Sequence, residues 1–198
     1  TNVARAVRLY EKAGVAGLFI EDQVFPKRCG HMAGKAVVPP VEWLAKIKAA
    51  LDAREDPDFI IMARTDALAV NGVDDAIARA QLACDAGADL LFVEAPTTAG
   101  EMRRICAEVP GPCLANNVET GLSPLLPAAE LQAIGFAAVV FPVAATYAVA
   151  HTLADLFATI RRTGTTAEFL PRLLAFNAFN DLVGLPAQRQ RETELQEF

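Results

Sequence analysis

The sequence predicts an α/β fold in which parallel strands alternate with helices. Two observations lead to this prediction. Short apolar segments of strand length alternate with longer segments whose apolar residues recur at helical spacing. The same helix–glycine–strand junction also recurs at residues 13–15, 86–88 and 134–136. Strands this apolar are typical of a parallel sheet that is buried on both faces and joined by right-handed crossovers.

The elements follow one another in a regular order. The first helix has apolar residues at Val3, Val7 and Tyr10, and it ends at Gly14, a residue type that commonly follows helices. The predicted helices then cover about residues 41–54, 74–86, 100–108, 127–134 and 144–162, and the five predicted strands cover residues 15–20, 59–63, 89–93, 112–115 and 136–141.

The alternation of strands and helices stops near residue 164. The remaining segment reads as polar turns and short amphipathic helices with too much apolar surface for a solvated tail. We therefore divide the sequence into residues 1–164 and 165–198. We expect the second part to pack on a neighbouring subunit, with packing on its own chain as the alternative. Its apolar residues are Phe169, Leu173, Leu174, Phe176, Phe179, Leu182 and Val183.

Composition narrows the range of functions. The formal charge of −6 leaves no basic surface for nucleic acid. The longest apolar runs are far shorter than the roughly 20 residues of a membrane-spanning helix. Four cysteines without paired spacing indicate reduced thiols and hence a cytoplasmic protein. The sequence therefore favours a small-molecule partner over nucleic acid or a membrane.

Polar side chains follow the predicted strands at their C-terminal ends. In a β/α barrel these ends form the active site, so we expect the polar residues to converge there. Arg64 follows the second strand, and its planar guanidinium suits bidentate binding of a carboxylate. The strand-end residues are Glu21, Asp22, Arg64, Thr65, Asp66, Glu94, Asn116, Asn117 and Glu119.

The loop after the first strand carries the most chemistry. The acids at the end of that strand suit a hard cation such as Mg²⁺. Cys29 follows between Arg28 and Gly30, with Lys27 and His31 within two positions. Positive charges close to a thiol lower its pKa, so this loop offers a tunable acid–base group. The alternative is that Cys29 packs as a small hydrophobic residue. The other three cysteines lie among apolar residues and are interpreted as core.

At these motifs the sequence resembles the isocitrate lyase/phosphoenolpyruvate mutase superfamily. The resemblance runs from residue 1 to about residue 164. The Lys-Arg-Cys-Gly-His loop marks the carbon–carbon lyase branch. The segment 179–186 resembles the C-terminal region of the small, bacterial-type members. The matching motifs are Ile20-Glu21-Asp22-Gln23, Pro26-Lys27-Arg28-Cys29-Gly30-His31, Ala63-Arg64-Thr65-Asp66-Ala67, Phe92-Val93-Glu94-Ala95 and Leu114-Ala115-Asn116.

The resemblance implies a (β/α)8 barrel of the TIM type and a Mg²⁺-dependent lyase, with Mn²⁺ as a possible substitute. Such enzymes cleave a 2-hydroxy di- or tricarboxylate into a 2-oxo acid and a second carboxylate. The resemblance also implies a homotetramer with exchanged C-terminal helices. By motif, Glu21 belongs to the metal site. Cys29 is the acid–base residue within the catalytic group of Lys27, Arg28, Cys29 and His31. Gly30 and His31 line the substrate, and Arg64, Glu94 and Asn116 bind it.

The sequence also departs from the family pattern. An Asp-rich metal strand should precede the first helix, and it is absent. We therefore expect an N-terminally truncated chain that keeps about the last five βα units. Asn117, Val118 and Thr120 differ from the residues that the small family members usually have at these positions. Specificity for the substrate side chain near Asn116 therefore stays open. The alternatives are oxaloacetate-type decarboxylation, phosphonate chemistry, which Cys29 argues against, and a non-catalytic barrel remnant.

The number of cations limits the size of the substrate. Each buried carboxylate needs a cationic or donor partner. Arg64 is the one arginine at the visible strand ends, and the stretch 141–147 after the last strand is apolar apart from Thr146 and Tyr147. We therefore expect a small or alkylated 2-hydroxy dicarboxylate, of the dimethylmalate type, rather than a tricarboxylate.

Overall fold

A computed structural model describes residues 2–196. Five strands alternate with helices in the order predicted. The strands are β1 (Gly17–Glu21), β2 (Ile60–Thr65), β3 (Leu90–Val93), β4 (Leu114–Asn116) and β5 (Ala138–Val140). The helices are α1 (Asn2–Lys12), α2 (Pro40–Leu51), α3 (Leu68–Asn71), α4 (Val73–Asp85), α5 (Ala99–Glu108), α6 (Ala128–Ile134), α7 (Ala144–Thr163), α8 (Phe176–Leu182) and α9 (Leu185–Gln196), with a 3-10 helix at Ala167–Arg172.

Neighbouring strands are parallel and follow chain order. Strands β1, β2 and β3 form one sheet, and β4 and β5 form a second. A parallel bridge between Leu91 and Cys113 connects β3 to the start of β4. The predicted α/β fold with parallel strands is therefore confirmed. Among the described residues, β1 and β5 each pair with a single strand.

The helix–glycine–strand junctions have the predicted conformation. Gly14, Gly87 and Gly135 have φ values of +77°, +100° and +122°. This region of backbone space favours glycine because other residues suffer a Cβ clash there. Helix α5 begins with a capping box in which Thr98 and Glu101 satisfy each other's backbone N–H groups.

The main core lies between the strands and helices α2, α4, α5 and α6. Trp43 is fully buried, and its indole N–H donates to the Ile20 carbonyl at 3.1 Å. Cys113 belongs to this core, and Cys84 and Cys106 pack against it, which confirms them as core residues. On the opposite face of the first sheet, Phe19 is 49% and Ile60 41% exposed.

The chain divides into two compact units between Ala144 and Ala145. In the second unit Phe169 is buried, and the Arg172 guanidinium lies 4.3 Å from its ring and 3.0 Å from Asp155. The predicted boundary at residue 164 and the packing on a neighbouring subunit stay predictions. Residue 1 of the first predicted part and residues 197 and 198 of the second lie outside the described residues. Of the helices in residues 2–196, none has the length and apolarity to cross a membrane. The exposed apolar residues of this unit include Tyr147, Val149, Phe157, Leu174, Phe176, Phe179, Leu182 and Val183.

Candidate active site

The 22–38 loop connects β1 to α2 and folds back on itself at its base. The Val24 N–H donates to the Ala36 carbonyl at 2.8 Å, and a bridge pairs Gln23 with Val37. The Gln23 amide also accepts from the Arg28 N–H and donates to the Arg28 carbonyl, both at 2.9 Å. A side-chain amide with both functions used in this way holds the loop in a defined shape.

Asp22 anchors the base of the loop from within the core. The Thr65 hydroxyl donates to its carboxylate at 2.6 Å, the Asp66 N–H at 2.8 Å and the Arg79 guanidinium at 3.2 Å. Burial raises the pKa of Asp22, and these donors offset that effect only in part. Asp22 is fully buried, and through these bonds it joins the ends of β1 and β2 to α4. Its side chain therefore points into the core, away from the side on which Glu21 meets the site cations.

Arg64 is fixed at the end of β2 by carboxylates on three sides. Its Nε lies 2.9 Å from Asp66 Oδ2 and 3.5 Å from Glu21 Oε2, and its Nη2 lies 3.8 Å from Glu94 Oε1. The guanidinium also lies 4.9 Å from the centre of the Phe92 ring. Burial alone would lower the pKa of Arg64, but the surrounding carboxylates outweigh it and raise the pKa. The side chain is therefore a preorganised cation.

Glu94 is a fully buried carboxylate at the end of β3. Asn116 Nδ2 donates to its two oxygens at 3.2 and 3.3 Å, and His31 Nε2 lies 3.2 Å from Oε1. Gly30 packs directly on it, because a Cβ at that position would overlap the carboxylate. The loop can therefore come this close to β3 only with glycine at position 30.

His31 is neutral and presents an N–H to the site. Its Nδ1 accepts from the Leu122 N–H at 2.8 Å, so the proton of the neutral ring lies on Nε2. Burial lowers the pKa of His31, and although Glu94 acts in the opposite direction the pKa stays below its usual value. Nε2 is close to Glu94 but lacks the alignment of a hydrogen bond. Nε2 and Asn116 Oδ1 are both buried without a hydrogen-bond partner.

These residues line one cavity of about 350 Å³. The cavity brings together seven of the nine residues to which the family resemblance assigned a metal, catalytic or substrate-binding role. These seven come from the loop and from the ends of β2, β3 and β4. The apolar side of the cavity comes from Val118 and from Pro142 and Val143, which belong to the apolar stretch predicted to follow the last strand. The lining consists of Lys27, Cys29, Gly30, His31, Arg64, Glu94, Asn116, Val118, Pro142 and Val143.

Glu21 and Arg28 are the two predicted residues outside the lining. The Glu21 carboxylate lies 3.2 Å from Lys27 Nζ and beside Arg64. The Arg28 guanidinium donates to the Ala33 carbonyl at 3.2 Å. Cys29 is exposed at the cavity. In the described part of the chain, the predicted cations Lys27 and Arg28 thus bind groups other than this thiol.

Lys35 is the main residue that the sequence did not reveal. Its side chain is 2% exposed, and Nζ lies 3.1 Å from Asp66 Oδ1. It also donates to the Gly30 carbonyl. Together, Arg64 and Lys35 outweigh the effect of burial and hold the pKa of Asp66 below its usual value. A lysine flanked by Gly34 and Ala36 gives no local sign of burial, since its partner lies 31 positions away.

The described carboxylates do not by themselves form a metal site. Across residues 2–196, no group of three or more His, Cys, Asp or Glu side chains is placed to hold a metal ion. Asp22, Asp66 and Glu94 are buried and already paired with cations or donors. Glu21 is the remaining carboxylate at the ends of β1, β2 and β3, and two cations contact it. A hard cation here would need further oxygen ligands.

Comparison with known proteins places these features in context. The sequence pattern of the phosphoenolpyruvate phosphomutase family matches residues 1–161. The chain is 47% identical over 191 residues to 2,3-dimethylmalate lyase of Eubacterium barkeri, covering 96% of the chain and 66% of that protein. It is 48% identical over 164 residues to 2-methylisocitrate lyase of Escherichia coli (strain K12), covering 83% of the chain and 55% of that protein.

Solved structures agree with the sequence relatives. A crystal structure of 2,3-dimethylmalate lyase superimposes with a TM-score of 0.88 at 34% identity, covering 97% of this chain and 64% of that one. Phosphonopyruvate hydrolase in complex with oxalate and Mg²⁺ gives a TM-score of 0.82 at 30% identity, covering 97% and 67%. The chain thus spans about two thirds or less of the length of the sequence relatives described here.

Proposed function

We propose a function for this chain on the premise that it belongs to the phosphoenolpyruvate phosphomutase family, in the isocitrate lyase/PEP mutase superfamily. The function is carbon–carbon bond cleavage of a 2-hydroxy dicarboxylate, which yields a 2-oxo acid and a second carboxylate. The two lyases among its relatives support this reaction class. They also confirm the resemblance to the lyase branch noted from the sequence.

The observation that carries the proposal is the cavity itself. Arg64 offers a fixed cation for one substrate carboxylate. His31 Nε2 and Asn116 Oδ1 are a buried donor and a buried acceptor without an aligned hydrogen bond, although His31 Nε2 lies 3.2 Å from Glu94 Oε1. Buried polar atoms are rarely left unpaired, so the pair points to a ligand that supplies both an acceptor and a donor. A carboxylate or oxo oxygen suits His31, and a 2-hydroxyl group suits Asn116.

Cys29 is proposed as the acid–base residue of the cleavage. As the carbon–carbon bond breaks, the 2-hydroxyl group releases its proton to solvent and becomes the carbonyl of the 2-oxo acid, and the bonding electron pair stays on the carbon next to the departing carboxylate. The Cys29 thiol transfers its proton to that carbon, a new C–H bond forms, and the sulfur is left as thiolate. Gly30 lets the loop pack against Glu94 and so brings Cys29 to the cavity. The catalytic assignments of Lys27 and Arg28 remain predictions.

The proposed substrate class is an alkylated 2-hydroxy dicarboxylate. Arg64 supplies the cationic side of the cavity, while Val118, Pro142 and Val143 supply an apolar side. An apolar wall favours an alkyl substituent over a third carboxylate, since burying an unpaired charge is costly. The 2,3-dimethylmalate lyase relative has a substrate of this kind. A tricarboxylate would need a further cation.

The proposal has three further parts. We propose that the complete protein forms a closed eight-stranded barrel, requires Mg²⁺ or Mn²⁺ as its substitute, and assembles as a homotetramer. The Mg²⁺-bound phosphonopyruvate hydrolase supports the metal. Glu21 is the proposed ligand from this chain. The edges of β1 and β5, each paired on one side within the described residues, are consistent with further strands.

The test is a product assay on the protein expressed from its complete gene. The substrates are 2,3-dimethylmalate, 2-methylisocitrate, isocitrate, oxaloacetate and phosphonopyruvate, each with Mg²⁺, with Mn²⁺ and with EDTA. We expect metal-dependent cleavage, with the highest kcat/KM for the substituted malate. A tenfold higher kcat/KM for a tricarboxylate would refute the substrate class. Turnover of oxaloacetate or the phosphonate alone would identify an alternative activity, and no turnover would favour the non-catalytic barrel remnant.

A further inference from the structure

Lys35 is a buried cation that joins the 22–38 loop to the end of β2. Its side chain is 2% exposed, so its ammonium group is almost completely removed from water. Nζ donates to the Gly30 carbonyl in the loop and to Asp66 Oδ1, 3.1 Å away, after β2. A buried lysine is found where it is paired, and here the two partners belong to two different parts of the site.

We propose that Lys35 is a positioning residue that holds the tip of the loop, Cys29 to His31, at the cavity. The base of the loop does not need Lys35, because Gln23 and the backbone pairing of Val24 with Ala36 already fix it. Within the described residues, two hydrogen-bonded links join the tip to the rest of the chain, in addition to the contacts of Gly30 and His31 with Glu94. One is the bond from the Leu122 N–H to His31, and the other runs from the Gly30 carbonyl through Lys35 to Asp66.

The hydrogen bond from Lys35 to the Gly30 carbonyl acts on the tip of the loop and not on its base. Its acceptor is the carbonyl of Gly30, the residue between Cys29 and His31. Gly30 packs on Glu94 with no space for a Cβ, so a small displacement of this residue changes the cavity directly. Without Lys35, the Gly30 carbonyl loses this donor, and the tip loses its hydrogen-bonded link to Asp66.

Lys35 also shares the charge of Asp66 with Arg64. Arg64 donates to Asp66 through Nε at 2.9 Å and Nη2 at 3.3 Å, so Asp66 stays paired when Lys35 is removed. The fold around Asp66 should therefore survive. The undivided negative charge of Asp66 would then act on Arg64 and weaken its hold on a substrate carboxylate. This second consequence rests on the proposed function, whereas the loop attachment does not.

The experiment uses limited trypsin digestion. The loop has three cleavable bonds, after Lys27, Arg28 and Lys35, and the first two remain when Lys35 is replaced. Lys35→Met removes the ammonium group and keeps an unbranched apolar stem. The matched control is Lys46→Met, which removes a surface lysine that pairs with Glu42 at 2.8 Å. Lys35→Gln keeps a shorter, neutral donor and serves as a second variant. Mass spectrometry follows each cleavage site, and circular dichroism confirms folding.

In Lys35→Met we expect cleavage after Lys27 and Arg28 to accelerate at least about tenfold, since local opening controls proteolysis of a folded chain. Lys46→Met should match the parent, and Lys35→Gln should be intermediate. Unchanged loop cleavage in Lys35→Met, or equal acceleration at every site in the chain, would overturn the proposal. If Lys35→Met does not fold, Lys35→Gln decides by the same criteria.

Steady-state kinetics separate this inference from the proposed function. With the best substrate, Lys35→Met should lower kcat through the displaced Cys29 and raise KM through Arg64, each by about tenfold or more. Selective loop cleavage in a protein without any lyase activity would refute the proposed function and leave the role of Lys35 standing. Lyase activity with wild-type kinetics in Lys35→Met would overturn the positioning role.

Discussion

Replacement of Arg79 by methionine should destabilise the protein more than any change at the surface. Arg79 Nη1 lies 3.2 Å from Asp22 Oδ2 and 2.8 Å from the Val38 carbonyl, and Nε lies 2.9 Å from Asp75. Arg79 is 5% exposed and Asp22 is fully buried. The substitution leaves the Asp22 carboxylate without its cation and the Val38 carbonyl without this donor.

The magnitude follows from the burial of the pair. Removing one partner of a buried ion pair costs about 3–5 kcal/mol. Asp22 keeps its bonds from the Thr65 hydroxyl and the Asp66 N–H, so we expect the lower end, about 3 kcal/mol. The internal control is Asp75→Asn, which removes the other carboxylate bound by the same guanidinium. Asp75 is 34% exposed and four residues from Arg79, so its loss should cost about 0.3–0.5 kcal/mol.

The assay is urea unfolding followed by circular dichroism, with the free energy extrapolated to water. A double-mutant cycle with Asp22→Asn isolates the coupling between Arg79 and Asp22. Equal destabilisation by Arg79→Met and Asp75→Asn would refute the reasoning. A coupling energy near zero would do the same, because burial would then add nothing to the pair.

Three further expectations concern the site. Gly30→Ala should lower stability by about 1–3 kcal/mol through overlap with Glu94, while Gly100→Ala, whose Cβ meets nothing closer than 3.6 Å, should not destabilise; equal melting temperatures would contradict this. Cys29→Ala in the complete protein should keep the fold and lower turnover about 10²–10⁴-fold, and turnover near the parent value would remove Cys29 from the mechanism. Since the pKa of folded Asp66 lies below that of the unfolded chain, its stabilisation is complete above about pH 4 and is lost as the pH falls through the folded pKa. The stability difference between the parent and Asp66→Asn should shrink on acidification, and a constant difference would argue against the Asp66 ion pairs.

Local patterns predicted the elements that local forces determine. Apolar runs located all five strands, and the glycine junctions located three helix ends. Strand geometry accounts for the adjacent acids, because successive side chains point to opposite faces, so Glu21 meets the site cations while Asp22 enters the core. The one-turn helix α3 is too short to leave a periodic signal.

Contacts between distant residues could not be read in the same way. The Lys35 ammonium meets a carboxylate 31 positions away, and His31 accepts a hydrogen bond from a backbone amide 91 positions away. The second contact decides the tautomer of His31, a property that the sequence around the histidine does not encode. The surroundings of Cys29 differ from the predicted cationic ones for the same reason. Lys27 donates to the Glu21 carboxylate and Arg28 to the Ala33 carbonyl.

The single tryptophan of the chain lies next to the end of β1 and can report on that region by its fluorescence. Trp43 is the one tryptophan in the sequence, and its indole donates to the Ile20 carbonyl, one residue before Glu21. Its fluorescence therefore comes from a single environment that is dry and hydrogen-bonded. Any event that loosens the end of β1 lets water reach the indole and shifts its emission to longer wavelength. Loosening of the end of β1 can thus be followed by fluorescence, without an attached dye, in the unmodified protein.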